Sequence, residues 1–221
     1  MESRILFMLG SNGTFKKAIK DYLNTINHQE KKIILLLPGT KVDIQLKKDY
    51  LKVLNTYCIK KISIISPLNK NYKNISFLKG IFSSHNGLIL GGGNSFYYYK
   101  NYYRKPFLNL IKIFYNNGNP VMGCCGGALI LSDIYTLYQE KNGPIECKSS
   151  FSLIENTIIG IHFLEKNNTK YIFSDMLKTK SKYGLGIDKN SYVMLSNEKV
   201  LKSKGNVFYI DNISLKDKKY V

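Results

Sequence analysis

The sequence predicts a three-layer α/β/α fold around a mostly parallel, doubly wound sheet, closed by a short antiparallel C-terminal meander. Three observations predict it. Short apolar runs alternate with stretches whose apolar residues recur at helical spacing. The runs are continuously apolar, as expected of strands covered on both faces. After Thr157 the rhythm tightens into closely spaced strand-like pieces.

The elements follow in order. Ile5–Leu9 is an apolar run stopped by Gly10-Ser11-Asn12-Gly13, hence a buried strand. Thr14 can cap the next helix, where Phe15, Ala18, Ile19, Tyr22 and Leu23 share a face. Residues 33–37 form the second strand, ended by Pro38-Gly39, and 42–54 repeat apolar residues at helical period. Residues 62–65 are the third strand, and Gly87–Leu90 the fourth, before Gly91-Gly92-Gly93-Asn94. Residues 95–115 suit one or two helices interrupted at Pro106. Residues 120–123 are the fifth strand, with a helix starting at 126–132. Thr157–Ile161 is a further strand and 170–177 a helix; 184–187, 192–195, 199–201 and 207–210 are the meander. No repeat or linker divides the chain, so residues 1–221 are expected to form a single domain.

Composition excludes several classes. The apolar fraction is 44% and the charged fraction 22%, which excludes a disordered or collagenous chain. Lys and Arg number 33 against 15 Asp and Glu, a net charge of +18 that first suggests a polyanion partner. Yet the lysines are scattered; the densest groups are Lys178, Lys180, Lys182 and Lys216, Lys218, Lys219, and neither lies in a nucleic-acid-binding motif. Nucleic acid is therefore not the expected partner. Cys58, Cys124, Cys125 and Cys147 form no C-x-x-C pair, so neither a zinc site nor a redox motif is indicated. No apolar run is long enough to span a membrane. A reducing cytoplasm is the expected setting.

In doubly wound sheets, chemistry sits at the carboxyl ends of the strands. Two glycine-rich turns fall there. Gly123-Cys124-Cys125-Gly126-Gly127-Ala128 has the layout of a nucleophile elbow, in which glycines flank a side chain on a sharp strand-to-helix turn. Cys125 takes the nucleophile position, where a helix N-terminus should lower its pKa. The turn at 91–94 lacks the Lys-Ser/Thr of a phosphate loop. Its consecutive glycines suit an oxyanion hole: an N–H of Gly92 or Gly93 together with that of Gly126. A base is then needed. His28 falls among polar residues and His85 at the wrong end of the sheet, which leaves His162, just after Thr157–Ile161. A carboxylate should orient it; Glu140 lies between nucleophile and histidine, with Asp133, Glu146 and Glu165 as rivals.

These residues resemble a family. Gly-Gly-Gly-Asn-Ser-Phe at 91–96, the elbow at 123–128 and Ile-His-Phe at 161–163 resemble the aspartyl dipeptidase (dipeptidase E) and cyanophycinase family of serine peptidases. Gly184-Leu185-Gly186-Ile187-Asp188 and Val207-Phe208-Tyr209-Ile210-Asp211 resemble the family's closing segments. The resemblance implies a class I glutamine-amidotransferase-like fold of flavodoxin-like layout, and a hydrolase with Cys125 as nucleophile, His162 as base and Glu140 as acid. Two departures stand out. Cysteine replaces the family's serine, and Gly126 replaces the alanine that follows it. The dipeptidase's substrate-holding arginine has its nearest equivalent in Lys170, which lacks a bidentate fork. Asn94 and Lys170 are the candidate substrate contacts. The implied substrates are small peptides, with anionic ones drawn towards Lys170; no metal or organic cofactor is implied, and a homodimer is compatible with the reading. Two rivals remain. A glutamine amidotransferase also uses a cysteine elbow, but its H-P-E signature is absent, since His162 is followed by Phe-Leu-Glu. A catalytically inactive basic binding protein is the other.

Overall fold

The computed structural model describes residues 3–137, 146–165 and 168–211. In chain order the first half comprises β1 (Ile5–Leu9), α1 (Phe15–Asn24), β2 (Lys31–Leu36), α2 (Asp43–Leu54), β3 (Ile59–Ile65), α3 (Ile75–Ser84), β4 (Gly87–Leu90), α4 (Ser95–Tyr102) and α5 (Lys105–Asn116). The second half comprises β5 (Val121–Cys124), α6 (Gly126–Leu129), β6 (Ile134–Leu137), β7 (Glu146–Ser149), β8 (Thr157–Ile161), α7 (Asn168–Thr179), β9 (Tyr183–Ile187), β10 (Tyr192–Ser196), β11 (Lys199–Lys204) and β12 (Val207–Asp211). Pro106 falls in the first turn of α5, where its missing N–H costs nothing, and so separates α5 from α4.

The central sheet has seven strands in the order β11-β10-β1-β5-β4-β2-β3. The five strands from β1 to β3 in that order run parallel, and β10 and β11 extend the sheet antiparallel on the β1 side. Continuous apolar strands bury both faces. Phe7, Leu9, Ile33, Leu35, Ile89 and Met122 pack under α1 and α2. Leu6, Met8, Ile34, Leu36, Leu88 and Val121 pack under α3, α4, α5 and α6. Each fully buried large side chain of this kind contributes about 1.5–3 kcal/mol.

The helix placement locates the crevice. The connection after β1 passes to the α1 face, whereas that after the neighbouring β5 passes to the opposite face. Adjacent strands whose connections diverge leave a cleft at their carboxyl ends. In the register Leu9 lies beside Cys124, so the cleft opens where β1 and β5 end.

Beyond the central sheet, β8 and β9 pair in parallel and β12 pairs antiparallel with β9. One side of this small sheet adds Ile159, Leu185 and Ile187 to the core beneath α6. Ile172 and Met176 of α7 cover Ile158 and Phe163 on the other. The antiparallel meander is present, but its strands are shared between two sheets: β10 and β11 join β1, while β12 joins β9. Helix α7 is the crossover that makes β9 the parallel neighbour of β8. The helix expected over 126–132 is a single turn, because the chain leaves it to form a bridge from Ser132 to Ile154. Helix α3, which strand alternation alone does not place, buries Leu78, Ile81 and Phe82. Among the described residues no helix is long and apolar enough to cross a membrane.

Candidate active site

Strand β5 delivers Cys125 to the floor of the cleft. Its backbone adopts φ 51° and ψ −118°, a conformation that a side-chain-bearing residue holds only under constraint. The constraint is visible. The Cys125 N–H donates to the Leu9 carbonyl at 2.9 Å, which ties the elbow to β1. On the far side the elbow presses against the Gly91–Gly93 turn. A Cβ on Gly126 would lie 1.9 Å from the Gly93 carbonyl oxygen, and one on Gly127 would lie 2.5 Å from that of Gly91. Glycine is thus required by the close approach of the two turns.

His162 reaches Cys125 from the small sheet. It follows β8 with φ 50°, and Phe163 then lies flat against Gly186, where a Cβ would meet its ring at 2.6 Å. This anchors the Ile-His-Phe segment. The result is a contact of 3.5 Å between Cys125 Sγ and His162 Nε2. On the other side of the ring, Nδ1 lies 3.7 Å from Glu165 Oε2. Glu165 is itself paired with Lys189, and Asp188 accepts the Leu164 N–H at 3.3 Å. Burial holds the His162 pKa below its ordinary value; Glu165 pulls it up, Lys189 down and Asp188 up, in decreasing order.

The expected lowering of the Cys125 pKa does not occur. Burial pushes it above the ordinary thiol value, and the Gly126 and Gly93 amides offset this only in part. A single-turn helix supplies too little dipole to outweigh desolvation. Both shifts favour the uncharged forms, thiol and neutral imidazole, over a thiolate–imidazolium pair. Cys124, fully buried beside the Tyr50 hydroxyl, is pushed up to about 12.

Two amides, those of Gly93 and Gly126, lie close enough to the Cys125 sulfur to lower its pKa. Gly92 is not available as a donor, because its N–H already donates to the Tyr50 hydroxyl at 3.0 Å. Asn94 caps α4 by accepting the Phe96 N–H at 2.9 Å and is exposed. Lys170 stands in the first turn of α7. Asp133 accepts the Asn156 N–H at 3.0 Å, and Glu146 opens β7. Glu140 lies outside the described residues. Of the other histidines, His28 is exposed, and His85 is buried with Nδ1 2.8 Å from the Ile81 carbonyl. Tyr50, Tyr98 and Asn12, which surround the glycine turn, carry no motif that would have marked them in the sequence. Among the described residues no group of three or more His, Cys, Asp or Glu could hold a metal ion.

A family model, that of peptidase family S51, matches residues 6–203. The chain belongs to peptidase family S51. It is accordingly a peptidase-like hydrolase, with the α/β fold of that family. Two solved structures share the fold. A peptidase from an acI-B1 Actinobacterium is 17% identical over 95% of this chain and 88% of its own, with a TM-score of 0.69. A protein assigned as a peptidase E from Listeria monocytogenes EGD-e is 14% identical over 92% of this chain and 99% of its own, with a TM-score of 0.66. No curated protein matches. Within this S51 chain the matched segment contains the glycine turn, the elbow and His162.

Proposed function

We propose that this S51 member cleaves small peptides through a cysteine acyl-enzyme. Cys125 Sγ attacks the scissile carbonyl as its proton passes to His162 Nε2. Gly93 and Gly126 donate their N–H groups to the oxyanion of the tetrahedral intermediate. Collapse expels the amine, which takes the proton from His162, and leaves a thioester on Cys125. Water then attacks the thioester, with His162 acting as base again, and the thiol is restored. Glu140 orients the imidazole, and Lys170 draws anionic substrates to the cleft. The observation that carries this reading is the 3.5 Å Sγ–Nε2 contact, formed at a strained elbow beside two amides. A neutral resting pair suits it, because the base must accept a proton during attack.

The test is hydrolysis of a dipeptide panel, N-terminal aspartyl dipeptides included, by wild type and variants. Cys125→Ala should lose turnover while keeping its melting temperature; full activity in that variant would refute the mechanism. Glu140→Gln should reduce kcat more than Glu165→Gln does. The reverse order would assign the orienting role to Glu165, whose carboxylate lies 3.7 Å from Nδ1.

A further inference from the structure

The geometry points to Tyr50 as a positioning residue that, together with Tyr98, clamps the peptide unit preceding the oxyanion donor. The inference rests on the acyl-enzyme reading and extends it to residues behind the glycine turn. The peptide joining Gly91 to Gly92 is held at both ends. Its carbonyl, that of Gly91, accepts the Tyr98 hydroxyl at 2.7 Å. Its N–H, that of Gly92, donates to the Tyr50 hydroxyl at 3.0 Å. Both tyrosines are buried, Tyr98 fully and Tyr50 to within 2%. They come from opposite faces of the sheet: Tyr50 from α2 on the α1 side, Tyr98 from α4 on the other.

The clamp is built in depth. The Tyr50 hydroxyl donates in turn to Asn12 Oδ1 at 2.8 Å, so Gly92, Tyr50 and Asn12 form a directed chain of hydrogen bonds. Such chains polarise one another and strengthen each bond. Asn12 also lies against the Gly92 Cα, where a Cβ would meet its amide at 1.9 Å. The Tyr98 hydroxyl additionally reaches the Leu36 carbonyl at 3.0 Å, which ties the turn to the end of β2.

The next peptide along carries the N–H of Gly93, which packs directly on Gly126 of the elbow and whose amide lowers the Cys125 pKa. Three consecutive glycines offer little intrinsic resistance to rotation. Without an external hold, the Gly93 N–H would sample directions away from the sulfur. Two hydroxyls fixing the preceding peptide remove that freedom before substrate arrives, which is preorganisation of an oxyanion donor.

The test compares Tyr50→Phe with a matched control. Tyr22→Phe also deletes a buried tyrosine hydroxyl from the α1–α2 side, one bonded to the Leu88 and Pro120 carbonyls away from the turn. The first readout is iodoacetamide alkylation of Cys125 against pH, followed by mass spectrometry. Tyr50→Phe should move its midpoint upward, because a loosened Gly93 amide stabilises the thiolate less, and Tyr22→Phe should not. The second readout is acylation of Cys125 by p-nitrophenyl acetate. Deleting a direct oxyanion donor costs about 100- to 1,000-fold; loosening one through its neighbour should cost about tenfold, again only in Tyr50→Phe. Asn12→Ala, at an exposed position, should shift both in the same direction by less, and it serves if Tyr50→Phe does not fold. A Tyr50→Phe profile identical to wild type, or an equal shift in Tyr22→Phe, overturns the inference. Absence of Cys125 acylation in the wild type would instead overturn the acyl-enzyme reading, and the alkylation profile would still decide the clamp.

Discussion

Gly126→Ala is the most searching perturbation of the site, because it places one methyl group between the two turns. The resembled pattern carries alanine at this position, yet here a Cβ would stand 1.9 Å from the Gly93 carbonyl oxygen. Real Cβ contacts stay beyond 3.0 Å, so the glycine turn must retreat by about 1 Å. Two consequences have different magnitudes. Overpacking against backbone costs about 1–3 kcal/mol. Replacing glycine in a helical turn returns up to about 1 kcal/mol. The net loss, about 0–3 kcal/mol, lowers the melting temperature of a chain this size by up to about 12 °C. The chemical loss is larger. A displacement of about 1 Å at a catalytic group costs about 100-fold in rate. Cys125 acylation by p-nitrophenyl acetate should therefore fall about 100-fold in a protein that still melts cooperatively. Wild-type acylation in Gly126→Ala would refute the argument that contact between the turns sets the oxyanion geometry.

Three further outcomes follow from the same structure. Because burial raises the Cys125 pKa, its alkylation by iodoacetamide should climb with pH to a midpoint above the ordinary thiol value, with exposed Cys58 the faster to react at pH 7; site-resolved mass spectrometry reads both. Because burial lowers the His162 pKa, the base form survives into mild acid, and the acid limb of kcat/KM against pH for peptide hydrolysis should lie below the ordinary imidazole value. Asp21 joins α1 to β10 and β11 through Lys202 at 2.7 Å and the Tyr192 hydroxyl, and these bonds hold its carboxyl pKa below the ordinary value. Its stabilisation is therefore present above about pH 4 and lost as pH falls through the depressed folded value. Asp21→Asn should cost about 1 kcal/mol in urea denaturation at pH 7 and nothing once both states are protonated.

A fourth outcome concerns the loop after β2. Buried Asp43 accepts hydrogen bonds from the Gly39 and Thr40 amides and from the Thr40 and Ser66 hydroxyls, and this loop brings Pro38 against Gly93. Asp43→Ala leaves these donors unpaired and should cost about 3 kcal/mol in urea denaturation. An effect below about 1 kcal/mol would show that the donors find water instead.

Much of the fold is legible in the chain because its signals are local. Continuous apolar runs such as Ile5–Leu9 and Gly87–Leu90, short and ended by glycine turns, read as strands buried on both faces, and Pro106 marks the break between α4 and α5. The elbow at Cys125 and the turn at 91–94 are legible for the same reason, since crowded turns demand glycine. The pairing of the last strands is not local: β9 and β10 are neighbours in sequence yet belong to different sheets.

By itself, then, the sequence determined the α/β class, the two glycine turns and the candidacy of Cys125 and His162. Tertiary structure alone decided three matters: that His162 comes within 3.5 Å of the sulfur, that the Gly92 N–H is already engaged by Tyr50, and that burial outweighs a short helix in setting the thiol's pKa. The physical reason is common to all three. Residue type and spacing specify backbone conformation within a few residues, whereas desolvation and hydrogen-bond competition depend on segments brought together from far along the chain, as Tyr50 is brought to Gly92.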